Sequence, residues 1–309
     1  MHFYLPIAEM SANVLVFVGI GTIIGFLSGL FGVGGGFLMT PLLIFAGVPP
    51  VFAVGTQSAQ IVASSVSGAI AQWQRRNIDF TMGTILIFGG LVGAIIGVQF
   101  VKWLREIGQF DFAVSISYVI FLGVVGALML IESLNTIHKI RVGHTAFERR
   151  SGQHNWAHGL PLKMRFRRSK LYISAIPPLL IGLMVGFLAA IMGVGGGFVM
   201  IPAMIYLLRV PTNVVVGTSL FQIVFVTAAT TILHAVQNQT VDIVLALLLM
   251  IGGVIGAQFG AAAGEKLKGE QLRFLLAALV IGICLRMAWQ LISAPEELYS
   301  VTPFLEHTE

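Results

Sequence analysis

The chain has 309 residues, 57% of them hydrophobic and only 10% charged, with a mean hydropathy of +0.92. Soluble domains carry about 25% charged residues, so this chain cannot cover a water-facing surface, and soluble, disordered and fibrous classes are excluded. The net charge of +5 comes from basic residues set between apolar runs, where they report membrane orientation; no nucleic-acid partner is expected.

Apolar runs of about 20 residues, enough to cross a bilayer core as helix, occur at 12–31, 51–72, 80–101 and 110–131. The flank of the first run lacks the positive charge of a cleavable signal peptide. A shorter run at 37–48 cannot span alone. A linker at 132–170 then carries 11 charged residues, nine of them basic. Full-length runs resume at 172–192, 213–236, 243–263 and 272–292, again with a short run, at 198–208. The expected organisation is a first membrane repeat (1–131), a basic cytoplasmic linker (132–170), a second repeat (171–292) and a polar C-terminal tail (293–309). The lone Cys284 allows no intrachain disulfide and no thiolate metal site, and no cofactor is expected.

The repeat is explicit in the residues. Positions 25–41 (GFLSGLFGVGGGFLMTP) match 186–202 (GFLAAIMGVGGGFVMIP) at an offset of 161, with 11 of 17 identical. Val54-Gly55-Thr56 and Gln60-Ile61-Val62 then match Val216-Gly217-Thr218 and Gln222-Ile223-Val224, and Asp79 matches Asp242. These features predict an all-α polytopic membrane protein of two homologous repeats, each with four to five membrane segments. If each glycine-rich break turns the chain, the copies are inverted and 15 of the 18 basic residues fall on the linker's side. Only Lys102 and Arg105 then lie opposite, and Arg286 sits within a span. That count favours inversion over a four-span reading with parallel copies.

Four glycines in five residues cannot sustain a helix, because each costs about 1 kcal/mol relative to alanine. Gly32–Gly36 and Gly193–Gly197 therefore read as paired helix breaks at membrane depth. Their freed backbone groups must be satisfied by protein, water or a ligand. A short helix starting after each break would offer N-terminal amides to an anion. Candidate substrate-binding residues are Gly34, Gly35, Gly36, Gly195, Gly196 and Gly197 at the breaks. Thr56 and Gln60 join them in the first copy, with Thr218, Ser219 and Gln222 in the second, and Arg286 as an intramembrane cation. Thr56, Gln60, Ser64 and Ser67 share one helix face, as do Gln222, Thr230 and His234. Such faces serve a desolvated oxyanion or ordinary interhelical hydrogen bonds equally well. Asp79 and Asp242 read as helix N-caps, and His234 as a satisfied histidine rather than a proton carrier. Pro41 and Pro202 begin or kink the short helices. The basic stretch 163–170 is expected to meet anionic lipid headgroups. Glycine ladders such as Gly89/Gly93/Gly97 and Gly252/Gly256/Gly260/Gly264 predict close helix packing, within the chain or across a homodimer.

The doubled GVGGGF…P element followed by VGTxxxQIV resembles the sulfite exporter TauE/SafE family, also grouped with toluene-sulfonate uptake permeases. The resemblance covers all but the linker and tails. It implies a multi-pass protein of the bacterial inner (plasma) membrane that moves small sulfur-containing anions of the sulfite or organosulfonate class. The expected activity is secondary transport or export, with an anion channel or a transporter of another small organic anion as the alternative. No enzymatic motif such as HExxH or GxSxG is present.

Overall fold

The computed structural model describes residues 2–5, 10–31, 36–141, 162–166, 168–169, 171–264 and 269–293. The chain opens with two short antiparallel strands, β1 (His2–Leu5) and β2 (Met10–Asn13). Five helices follow: α1 (Val14–Phe31), α2 (Gly36–Phe45), α3 (Pro50–Gln74), α4 (Phe80–Glu106) and α5 (Phe110–Arg141). A second hairpin, β3 (Lys163–Phe166) with β4 (Leu171–Ser174), precedes α6 (Ile176–Met192), α7 (Gly197–Tyr206) and α8 (Thr212–Leu233). One π-helical turn (His234–Asn238) leads to α9 (Ile243–Gly264) and α10 (Gly269–Ile292). Five helices among the described residues are long and apolar enough to cross a membrane, and the protein is a multi-pass all-α membrane protein.

Strands β3 and β4 stand 161 residues after β1 and β2, the offset that relates Gly25 to Gly186. Their helix entries match as well. The Asn13 side chain accepts from Leu15 N–H at 3.1 Å, and Ser174 Oγ accepts from Ile176 N–H at 3.2 Å. The stretch read from sequence as the end of the linker is thus folded, with Phe166 and Ile173 fully buried against Met82, Leu86 and Met204. Hydropathy passes over it because a four-residue strand has no apolar run of spanning length. The π-helical turn has its own sequence reason. The offset between the copies grows from 162 at Thr56/Thr218 to 163 at Asp79/Asp242, and a π turn is where one extra residue enters a helix.

Among the described residues, the second break turns the chain. Phe17 and Ile24 of α1 pack with Met39 and Leu43 of α2 and with Val48 beyond it, and Ile181 and Val185 of α6 pack with Met200, Met204 and Leu208. In the second copy a Cβ on Gly196 would lie 2.3 Å from Val185, so the start of α7 lies back beside α6 before its end.

The principal helix pairs join the two copies: α1 with α9, α4 with α6, α3 with α8 and α5 with α10. The first two are backbone contacts made possible by glycine. A Cβ on Gly25 would lie 2.2 Å from Gly253 O, and one on Gly256 would lie 2.0 Å from Thr22 O. On the other side, a Cβ on Gly93 would lie 2.0 Å from Leu183 O, and one on Gly186 would lie 2.1 Å from Gly90 O. The glycine ladders expected from sequence are therefore seams within one chain. Lipid offers no hydrophobic drive for helices to associate, so close van der Waals approach of this kind is what holds the bundle together.

Gly93→Ala and Gly256→Ala should each cost about 1–3 kcal/mol by overpacking, whereas Gly282→Ala, which meets nothing within 4 Å, should be neutral. Thermal unfolding of the three variants in detergent checks this, and equal midpoints would contradict it.

Candidate functional site

Helix α6 ends at Met192, where Gly193 takes a left-handed conformation (φ +70°) and its N–H donates to Ala189 O at 2.8 Å. Gly195 (φ +71°) and Gly196 (φ +77°) are also left-handed, and α7 starts at Gly197. Glycine reaches these angles at no steric cost. Space forbids side chains as well, since a Cβ would lie 2.8 Å from Val54 O at Gly193, 2.7 Å from Ile61 at Gly195 and 2.3 Å from Val185 at Gly196. Residues 193–198 are all buried. In the first copy Gly34 and Gly35 lie outside the described residues, and the description resumes at Gly36.

The two short helices meet at their N-terminal ends. Phe37 and Phe198, each directly after its glycine run, stack with ring centroids 4.1 Å apart and planes at 15°. A Cβ on Gly36 would lie 2.8 Å from Val194 O, and the Ile61 side chain touches both Gly36 and Gly195. The first-turn N–H groups of a helix have no intrahelical acceptor, so two partly positive helix ends converge in a buried place. Pro41 and Pro202 lie inside the short helices rather than at their starts. Lacking an N–H, each cannot make the helical bond to the carbonyl four residues earlier, at Phe37 and Phe198.

A buried polar cluster braces this junction. Tyr118 donates to Met192 O at 2.5 Å, and the Thr40 hydroxyl lies 3.3 Å from the same carbonyl. Thr40 also bonds to Gln57 Oε1, and Gln57 Nε2 donates to Gly36 O. All three side chains are fully buried. None was singled out from sequence. Gln57 lies one residue past Thr56 on a different helix face, and Tyr118 meets Met192 only through packing between the copies.

Thr56 and Thr218 occupy a different place. Thr218 Oγ1 accepts from Asp79 N–H at 3.1 Å, and Thr56 Oγ1 accepts from Asp242 N–H at 3.0 Å. The preceding glycines let the loops approach: a Cβ on Gly55 would lie 2.6 Å from Thr240 Oγ1, and one on Gly217 would lie 2.6 Å from Asn77 O. Asp79 Oδ1 accepts from Met82 N–H at 3.2 Å, and Asp242 Oδ1 accepts from Val244 and Leu245 N–H at 3.0 and 3.1 Å. Both aspartates are N-caps, and each VGT segment clasps the cap of the other copy.

Gln222 is fully buried against Gly90 and Val226, and neither its Nε2 nor its Oε1 has a hydrogen-bond partner. Its counterpart Gln60 is half-buried beside Gly253. Ser219 bonds back to Val216 O at 3.1 Å, and Ser64 and Ser67 are exposed. Arg286 is exposed, with its guanidinium 4.7 Å above the Phe45 ring, away from the breaks. His234 is held on both sides, with Nε2 3.0 Å from Ala190 O and Nδ1 3.0 Å from the Asn238 amide nitrogen, while Arg105 donates to Asn238 O at 2.7 Å. A carbonyl only accepts, so Nε2 carries the proton and the ring is satisfied as a neutral tautomer. The ten described candidates thus divide into the junction glycines Gly36, Gly195, Gly196 and Gly197, the clasp threonines, the interface glutamines with Ser219, and a peripheral arginine, while Gly34 and Gly35 lie outside the described residues.

The family model described as "Sulfite exporter TauE/SafE" matches residues 17–287. The chain is 26% identical over 275 residues to the "Probable membrane transporter protein YjnA" of Bacillus subtilis (strain 168), covering 88% of this chain and 97% of that protein. It is 27% identical over 286 residues to the same organism's "Probable membrane transporter protein YunE", covering 89% and 97%. A "Probable membrane transporter protein" of Xylella fastidiosa (strain 9a5c) is 26% identical over 282 residues, covering 90% and 96%. No solved structure matches the chain.

Thr56→Val and Thr218→Val should each leave one buried aspartate N–H without an acceptor and cost about 1–3 kcal/mol. Unfolding midpoints lowered in both single variants are the expected result, and wild-type midpoints would show that the clasps carry no stability.

Proposed function

We propose that this chain, which belongs to the sulfite exporter TauE/SafE family, is a secondary transporter of small sulfur-containing anions in a bacterial inner membrane. The observation that carries the reading is the junction of the two broken helices, where the N-terminal ends of α2 and α7 are buried together at Phe37 and Phe198. An oxyanion of the sulfite or sulfonate class needs several hydrogen-bond donors and partial positive charge, without a fixed cation that would trap it. Backbone amides at Gly36 and Gly195–Gly197 meet that need. The unpartnered Gln222 amide in the neighbouring α4–α6–α8 interface supplies a side-chain donor. Burying an amide without a partner costs free energy, and a site that a ligand completes is a physical reason to retain it.

In this reading the junction is closed to both sides and opens by movement of one copy against the other. In the same reading each copy makes five passes, the copies are inverted and the basic linker is cytoplasmic, as the distribution of lysine and arginine favours. The clasps of Thr56 and Thr218 act on the site through the loops they fasten, and Arg286 lies outside it. Export needs no nucleotide: an anion leaving a negative-inside cell gains about 2.3 kcal/mol per charge per 100 mV.

Purified protein in sealed liposomes should show saturable, counterflow-competent flux of sulfite or a small sulfonate, tested against sulfate, thiosulfate, taurine and small carboxylates. Flux that never saturates would make it a channel, and no flux for any sulfur anion would remove the substrate class. Gln222→Leu should weaken substrate affinity about tenfold through loss of one hydrogen bond to a charged group. Its unfolding midpoint should equal or exceed that of the wild type, because the variant buries no unpaired amide. Unchanged affinity would take Gln222 out of the site.

A further inference from the structure

On the linker's face, an open cleft of about 490 Å³ lies between the end of α3 and the start of α4, lined by Trp73, Arg76, Asp79, Phe80, Thr81 and Arg168. Trp73 is 63% exposed and Phe80 48% exposed, and their rings meet edge to face at 6.3 Å. Both arginines are exposed, and among the described residues neither forms an ion pair. Asp79, the acid in the wall, does not neutralise them by contact. It is buried, with Oδ1 on Met82 N–H and Oδ2 on the N–H and hydroxyl of Ser169 at 3.0 and 2.9 Å. Those two bonds, with the buried Phe166 and Ile173, fix the β3–β4 hairpin and set Arg168 at the mouth of the cleft. Arg76 is held by a left-handed backbone (φ +57°) and by its N–H bond to Trp73 O at 2.8 Å.

The corresponding place in the other copy shows what the fold alone requires. Gln239 has the same left-handed backbone (φ +52°) where the first copy has Arg76. Ala235 and Val236 stand where Trp73 does, Ile243 matches Phe80, and Ile7 matches Arg168 in sequence. The backbone frame is common to both ends, while both guanidinium groups and the exposed indole belong to one. Helix packing and turn geometry do not call for them.

From this asymmetry we infer that the Arg76–Arg168 cleft binds the phosphate headgroup of an anionic phospholipid of the inner leaflet. Two guanidinium groups offer the forked donors that phosphate oxygens accept. Trp73 and Phe80 lie where the spans end, the depth at which indole rings sit between acyl chains and headgroups. The exposed Lys163 and Arg165 of β3 extend the positive field. This site is separate from the glycine junction, so it stands or falls independently of the substrate assigned there.

Quenching of tryptophan fluorescence by brominated phosphatidylglycerol or brominated phosphatidylcholine, at low mole fraction in liposomes holding the full chain, tests it. Trp73→Phe identifies the part of the signal due to Trp73. Phosphatidylglycerol is expected to quench Trp73 at about thirtyfold lower mole fraction than phosphatidylcholine, in line with two basic groups at a membrane surface. Arg76→Gln combined with Arg168→Gln should abolish the preference, and both positions are exposed enough to leave folding intact. Equal quenching by the two lipids, or a preference that survives the double variant, would overturn the inference. Displacement of phosphatidylglycerol by millimolar sulfite or inorganic phosphate would overturn it too, by making the cleft an entry vestibule for soluble anions.

Discussion

The structure depends on backbone meeting backbone across two glycine seams. Gly25 of α1 lies against Gly253 of α9, and Gly186 of α6 lies against Gly90 of α4, with no room for a Cβ on Gly25 or on Gly186. Lipid tails compete with apolar side chains on equal terms, so a membrane bundle gains little from hydrophobicity and much from close approach. Both seams run between the copies, so neither half completes its packing alone. The N-terminal ends of α2 and α7 are brought to one place because these seams set how the halves cross.

The duplicated VGT segments solve a second problem of the same architecture. Each copy must start a long helix at the end of the bundle, where the first N–H groups need acceptors. An aspartate caps that helix, and a threonine of the opposite copy accepts the N–H of the aspartate itself. Residues that look like a ligand-binding stripe in sequence thus hold the bundle ends. Gln222, which shares the stripe, is left with nothing to bond. The same polar pattern therefore contains a fastening element and an open valence, and only their surroundings tell them apart.

Pseudo-symmetry separates what folding requires from what it does not. Hairpins, caps, clasps and left-handed turns recur in both copies. Among the described residues the Tyr118–Thr40–Gln57 brace and the arginine-lined cleft each occur once, with Ile201 and Ser219 standing where Thr40 and Gln57 would recur. Features present in one copy alone are where the two ends of the molecule differ physically.

The sequence by itself determined the class of protein, the duplicated residues, the paired glycine runs and the glycine faces, because these follow from local chain properties: hydropathy over a span length, repetition of residues, and the poor helix propensity of clustered glycine. It also identified Asp79 and Asp242 as caps, since an N-cap acts within one turn of its own helix. Only the tertiary structure decided which partners those features meet. That Thr56 serves Asp242 at a separation of 186 residues, that Arg286 sits over Phe45, and that Phe37 stacks on Phe198 are consequences of how the two halves cross. The strands at 163–166 and 171–174 were missed for the same reason. They are too short to carry a periodic signal, and what stabilises them is an apolar surface assembled from both copies, Met82 and Leu86 of the first and Met204 of the second.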